Sequence, residues 1–394
     1  MSTYKRLPIA IAKGEGNYLF DTEGKQYLDL FTGLAVNILG HSHPHVMQAL
    51  REQGEKFLHI SNYFLNPPAI QLAKRLVENS IPGKVFFGNS GAEATEAAIK
   101  LIHKWTLKRG NGREGIVVLK NSFHGRTLGA LRLTRQPHVY QDFPQPDFPV
   151  YELEVDNIAE LEDLCARVKP AAVLMEPVLG SGGVIPLRIE YLQQVAAITE
   201  REGMLLCIDE IQTGVGRTGK FFAYQHADVT PDLILFAKGV GGGLPLGGLI
   251  AGHKLSDLFQ PGDHGTTFAP SPLSAALGNA VLDVVFDEAF MEKSRTVAAY
   301  LWAQLNRLSE KYPDLLQGLR GKGMMLGLPT QLPAEQVSGI QRYMLQRGIL
   351  VDVTQKTIIR LLPPLTMKQE EVDRLISLLQ EAIEHVVVSK GAVE

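Results

Sequence analysis

The sequence predicts an α/β fold: a wound, mainly parallel sheet with helices on its faces, joined to a smaller α+β domain. Three observations carry that expectation. Apolar runs at 85–87, 116–119, 172–175, 204–208 and 233–236 are continuous rather than alternating, which suits strands buried on both faces. Helical patterns lie between them, so strand and helix alternate as they do in a wound sheet. After Pro272 the chain turns to long helical stretches, as a separate domain would.

Each element has its own signal. Ala94, Ala97, Ala98, Leu101, Ile102 and Trp105 follow i, i+3, i+4, i+7 spacing, the stripe that one helix face buries. A second helix spans 190–202 and meets Gly203, a residue that accepts the left-handed conformation at a helix C-terminus. Further helices are expected at 273–287, 291–311, 334–347 and 368–387, with mixed or extended segments at 321–328 and 357–361. The first 50 residues are loop-rich, broken by Gly14, Gly16, Gly24, Gly33 and Gly40, and hold at most short strands such as 18–20. The expected division is 1–50 for an N-terminal segment, 51–288 for the large domain and 289–394 for the small one.

Of the 394 residues, 45% are hydrophobic and 21% charged, a balance that excludes global disorder. A net charge of −3 gives no electrostatic footprint for nucleic acid or an anionic membrane. Cys165 and Cys207 are the only cysteines, too few for a disulfide framework, so a reducing, cytoplasmic setting is expected. No apolar run approaches the ~18 residues a membrane span needs, and the first residues lack a secretory leader's apolar region and cleavage site.

Ligands of an open parallel sheet bind beyond the carboxyl ends of its strands. The residues just past the apolar runs are Asn89-Ser90-Gly91, Asn121-Ser122-Phe123-His124, Glu176, Asp209-Glu210 and Lys238. Ser90-Gly91-Ala92-Glu93 matches a capping box; it reads equally as an ordinary helix start or as a cup for a phosphate at the positive helix end. Asp209 follows five apolar residues, so its carboxylate needs a cationic partner, either a salt bridge or a protonated ring nitrogen of a cofactor. Lys238 ends a buried run and precedes Gly239-Val240-Gly241-Gly242-Gly243; a desolvated amine there has the lowered pKa a Schiff-base nucleophile needs. Together the three read as pyridoxal phosphate chemistry.

Two rival signals are weaker. Gly214-Val215-Gly216-Arg217-Thr218-Gly219 satisfies a dinucleotide pattern, but Phe221-Phe222-Ala223-Tyr224 follows instead of a clear helix. His41, His43 and His45 alternate, yet the run holds no acidic or thiol ligand and Pro44 interrupts it, so no metal site is expected.

The motifs resemble those of class III, fold-type I pyridoxal-phosphate aminotransferases along essentially the whole chain, and most closely their acetylornithine aminotransferase group. The residues that carry the resemblance are Gly33-Leu34-Ala35-Val36-Asn37 with Gly40-His41, Asn89-Ser90-Gly91-Ala92-Glu93-Ala94 and Phe123-His124-Gly125-Arg126-Thr127. Asp209-Glu210-Ile211-Gln212-Thr213 with the glycine loop behind it, Lys238, His264-Gly265-Thr266-Thr267-Phe268 and Arg360-Leu361-Leu362-Pro363-Pro364 complete them. The resemblance implies that Lys238 holds pyridoxal 5′-phosphate covalently and that Asp209 partners the pyridinium nitrogen. By the same resemblance Gln212 contacts the ring hydroxyl, Phe123 stacks on the ring, and Gly91 and Ala92 hold the phosphate with Thr267 from a second subunit. Arg126 is implied for the distal carboxylate of glutamate, Arg360 for its α-carboxylate, and Tyr4 as a further carboxylate contact. A homodimer with active sites at the subunit interface is implied too. The implied reaction moves the terminal amino group of N-acetylornithine, or a similar N-acylated diamino acid, to 2-oxoglutarate, giving a semialdehyde and glutamate. The alternatives are a broader ω-amino-acid or 4-aminobutyrate transaminase and, on the same cofactor, decarboxylation or racemisation.

One stretch departs from the pattern. In Glu176-Pro177-Val178-Leu179-Gly180-Ser181-Gly182-Gly183, the acetylornithine and ornithine groups carry Gln at the Leu179 position and Glu at Ser181. That Glu is thought to pair with the second arginine, so here Arg360 needs another partner or a rearrangement. Gly33 stands where ornithine aminotransferases carry tyrosine, which favours the acetylornithine side.

Overall fold

The computed structural model describes residues 1–110 and 112–391. Its centre is a seven-stranded sheet in the order Gly83–Gly88, Gly247–Gly252, Leu233–Ala237, Leu205–Asp209, Ala172–Met175, Ile116–Leu119, Val150–Leu153. Gly247–Gly252 runs antiparallel to both its neighbours, and the strands from Leu233–Ala237 to Val150–Leu153 pair in parallel. All five apolar runs are strands of this sheet.

Period-two alternation divides the core. Ile208, Ile234 and Phe236 face one apolar cluster, while Cys207, Leu233 and Leu235 face another that includes Ala97, Leu101 and Trp105 of the helix Gly91–Arg109. Four of the runs are buried throughout. Gly83–Gly88 is only partly buried, because it lies at the sheet's edge.

Two strands gave no apolar signal. Val150–Leu153 is the opposite edge and is half-buried. Gly247–Gly252 reads as a loop by composition, yet its glycines are what let it enter the sheet. A Cβ on Gly248 would stand 2.2 Å from the Phe86 carbonyl oxygen, and one on Gly247 2.6 Å from that of Ser90.

The helix Ile189–Glu202 ends at Gly203 with φ +65°, the expected glycine stop. Pro272–Val285, Glu288–Lys311, Ala334–Gln346 and Gln369–Gly391 are the later helices. A second sheet runs Arg320–Lys322, Met325–Pro329, Ile358–Leu361, Asp352–Thr354, antiparallel throughout. The N-terminal strands Ile11–Glu15, Tyr18–Asp21 and Gln26–Asp29 form a third sheet whose last member, Ile349–Leu350, comes from the C-terminal part of the chain. The two chain ends therefore build one region.

The histidine run is not an extended segment: Pro44 opens the helix Pro44–Gly54. His41 pairs with Asp29 and His45 with Asp283, each at 2.8 Å, so these two side chains serve separate contacts. Among the described residues no helix is long and apolar enough to cross a membrane.

Candidate active site

Parallel strands deliver their carboxyl ends to one rim, and the polar residues read past the apolar runs collect there. Asn89, Ser90, Gly91, Ala92, Phe123, His124, Arg126, Glu176, Asp209, Gln212 and Lys238 line one cavity of 510 Å³.

Lys238 follows directly on the Leu233–Ala237 strand, in a tight turn with φ +52°. Burial lowers its amine from the ordinary 10.5 to about 8, against the opposing pull of the Asp209 charge. Asp209 is 3% exposed. Its Oδ1 accepts from the Ile211 N–H at 3.1 Å and its Oδ2 lies 2.7 Å from His124 Nδ1. The buried acid is thus partnered by the imidazole of His124, itself buried, with an Nε2 that has no partner among the described residues.

Glu176 holds the other wall. Its two oxygens accept from the backbone N–H groups of Phe123 (2.9 Å) and Gly180 (3.2 Å), and burial raises its carboxyl to about 7. Glu210, next to Asp209, turns away to Thr213 and the Tyr224 N–H. Gln212 reaches the cavity with a buried Oε1 that lacks a partner among the described residues.

At the far end stands the N-terminus of Gly91–Arg109. Ser90 caps it, accepting from the Glu93 N–H at 3.2 Å. The return half of the capping box is displaced: Glu93 accepts from the N–H and side-chain amide of Asn89, not from Ser90. A helix cannot satisfy its own first N–H groups, so those of Gly91 and Ala92 remain for an anion. Gly91 has no room for a side chain, since a Cβ would meet Ile211 at 2.7 Å.

Three predicted residues are not among those lining the cavity. Tyr4 is 77% exposed and is not part of the cavity wall. Thr267 is exposed, although its neighbour Thr266 is tied to the site through Asn89 Nδ2 at 2.9 Å. Arg360 is buried on Ile358–Leu361, behind the lining residues but near enough for its charge to act on the Lys238 amine. Its partner is Asp352, with Nε and Nη2 at 2.8 and 2.6 Å from Oδ2. Arg126, by contrast, is exposed at the wall, its guanidinium 5.7 Å from the Phe123 ring centroid.

His124, Glu176 and Asp352 were not among the residues predicted for the site. The first two stand among the rim residues past the apolar runs, but nothing local in the sequence pairs them with their partners. Asp352 had no local signal, because its partner is eight residues away on the next strand. A larger cavity of 790 Å³ lies behind the 214–219 loop; its Arg295 is ion-paired with Glu288 and Glu292.

The profile described as "Aminotransferase class-III" matches residues 1–383. The chain belongs to this family. It is 40% identical to the acetylornithine aminotransferase of Caldanaerobacter subterraneus subsp. tengcongensis over 98% of this chain and 97% of that one. That of Aquifex aeolicus is likewise 40% identical, over 97% and 99%. Among solved structures, ornithine aminotransferase from Toxoplasma gondii matches with TM-score 0.93 and 28% identity, covering 99% of this chain and 93% of that one. N-acetylornithine aminotransferase from Stenotrophomonas maltophilia matches with TM-score 0.85 and 31% identity, over 98% and 99%. The seven-stranded sheet is that of a fold-type I transaminase.

The cofactor of this class III aminotransferase is pyridoxal 5′-phosphate, and the donor set fits it. The cavity offers an amine of lowered pKa, a buried carboxylate, a helix N-terminus and the unpartnered Gln212 Oε1.

Proposed function

We propose that this enzyme transfers the terminal amino group of N-acetylornithine, or a similar N-acylated diamino acid, to 2-oxoglutarate, giving a semialdehyde and glutamate. The observation that carries the reading is the meeting of Lys238, the His124-backed Asp209 and the Gly91–Ala92 helix end in one cavity. The donor follows from near-full-length relatives named acetylornithine aminotransferase. When bound, pyridoxal phosphate would supply an electron sink for the C–H bond at the carbon that carries the transferred amine.

The chain's own groups do the rest. Asp209, held by His124, would face the ring nitrogen and favour its protonated form. Lys238 would bind the cofactor until the incoming amine displaces it. Its Nζ would then take the proton from the carbon bearing the donor's terminal amine and deliver it to the cofactor, and run the transfer in reverse at the α-carbon of the nascent glutamate. Gly91 and Ala92 would hold phosphate oxygens through their N–H groups, Phe123 would stack on the ring, and Gln212 would meet the ring hydroxyl. Arg126 grips the distal carboxylate of glutamate and Arg360 its α-carboxylate. Thr267 reaches the phosphate of a second subunit in a homodimer, and Tyr4 is a further carboxylate contact. The reaction belongs to arginine or lysine metabolism in the cytoplasm, in keeping with the unpaired Cys165 and Cys207.

Ser181 in the cavity wall favours one second reading, a broader ω-amino-acid or 4-aminobutyrate transaminase. Half-reactions with acetylornithine, ornithine, 4-aminobutyrate and β-alanine decide between them. Acetylornithine should react fastest; reaction with β-alanine and none with acetylornithine would overturn the donor.

A further inference from the structure

We propose that Asp352 is a standing counter-ion that lets Arg360 serve substrates with and without a carboxylate at the reacting carbon, without any rearrangement. The inference rests on the aminotransferase reading above.

Arg360 is 5% exposed, and a lone buried cation there would be strongly unfavourable. Asp352 is its register partner on the adjacent strand, so the backbone of the sheet, not a loop, sets the pair. Both Nε and Nη2 converge on a single oxygen, Asp352 Oδ2, at 2.8 and 2.6 Å. A guanidinium is planar and offers a carboxylate two edges, Nε with Nη2 and Nη1 with Nη2. Asp352 uses the first. On the second, Nη1 is buried and has no partner among the described residues.

Ser181 brings no charge to the neighbourhood. Its carbonyl oxygen accepts from Thr354 Oγ1 at 3.0 Å and Gln355 Nε2 at 2.8 Å, so its loop is tied to the strand that carries Asp352. An amino acid with a carboxylate on its reacting carbon takes the unpartnered Nη1–Nη2 edge, on the residue whose charge already acts on Lys238. A terminal amine, with no carboxylate there, meets a guanidinium whose charge is already balanced. One arginine then suits both partners of the exchange.

The test compares holoenzymes of wild type, Asp352→Asn, Asp352→Glu and Asp352→Asn with Ser181→Glu. Calorimetry with glutarate, an unreactive dicarboxylate, reads the acidic partner, and single-turnover reaction with acetylornithine reads the terminal amine. Asp352→Asn should bind glutarate about tenfold more tightly and lose about tenfold in acetylornithine kcat/KM, the scale of one charged hydrogen-bonded contact. Asp352→Glu, and the charge restored by Ser181→Glu, should bring both back toward wild type. An Asp352→Asn enzyme whose glutarate affinity is unchanged, or in which both readouts move in the same direction, would overturn the proposal. If that variant does not fold, Ser181→Glu alone decides: a second acid should weaken glutarate about tenfold, and no effect overturns it. Wild type that binds glutarate yet ignores every terminal amine would sink the donor reading while leaving the glutarate comparison to judge Asp352.

Discussion

The proposed chemistry turns on two buried groups at residue scale, Lys238 and Asp209, and each makes a prediction. Lys238 has a lower proton affinity in the folded chain, about 8 against 10.5, so between those values the unfolded chain binds more protons. Stability then rises with pH across that window, and the penalty of burying the amine is full below it. Cofactor-stripped Lys238→Met should exceed wild type in urea stability by most near pH 7, with the gap closing towards pH 10.5. A gap independent of pH would contradict a buried amine. Lys238→Ala should also abolish transamination and the visible absorbance of the lysine-bound cofactor. His124 tests the other charge. His124→Ala leaves Asp209, 3% exposed, without its imidazole, which should cost about 3 kcal/mol in urea unfolding and weaken cofactor retention. His124→Asn retains a donor and should recover part of both.

At the scale of elements, glycines separate what was legible from what was not. The apolar runs announced five of the seven central strands because buried parallel strands must be apolar on both faces. Val150–Leu153, half-buried at an edge, lacks that pressure. Gly247–Gly252 hid its role because close backbone approach excludes side chains. The site divided along the same line. Lys238, Asp209 and Ser90 sit at strand or helix ends, where local pattern marks them, whereas Asp209–His124 and Arg360–Asp352 are contacts between elements. Two substitutions measure the difference. Gly203→Ala meets only Arg113 at 4.0 Å, so its cost is the left-handed backbone, about 1 kcal/mol, with kcat unchanged. Gly248→Ala would place a Cβ 2.2 Å from the Phe86 carbonyl oxygen; soluble expression should collapse, since backbone in a sheet cannot give way. Urea melts of the first and soluble yield of the second check both.

For the whole molecule, the surface carries the remaining prediction. Leu58, Tyr63, Phe64, Leu65 and Phe268 are 63, 96, 67, 84 and 65% exposed, large apolar side chains gathered in nearby segments of the kind that mark an interaction surface. A second copy covering them fits the proposed homodimer. The surface is also wired to the site: Asn62 Nδ2 donates to the Thr266 carbonyl at 2.8 Å, and Thr266 Oγ1 accepts from Asn89 beside the Gly91 helix end. Dimerisation and phosphate binding should therefore be linked by mass action. Tyr63→Asp with Leu65→Asp should sediment as a monomer and hold pyridoxal phosphate at least about tenfold more weakly, the scale of one charged hydrogen bond lost. Wild type should sediment as a dimer at micromolar concentration with a Tm that rises with protein concentration. A wild-type monomer with full cofactor affinity would separate the surface from the site and leave Thr267 without its proposed task.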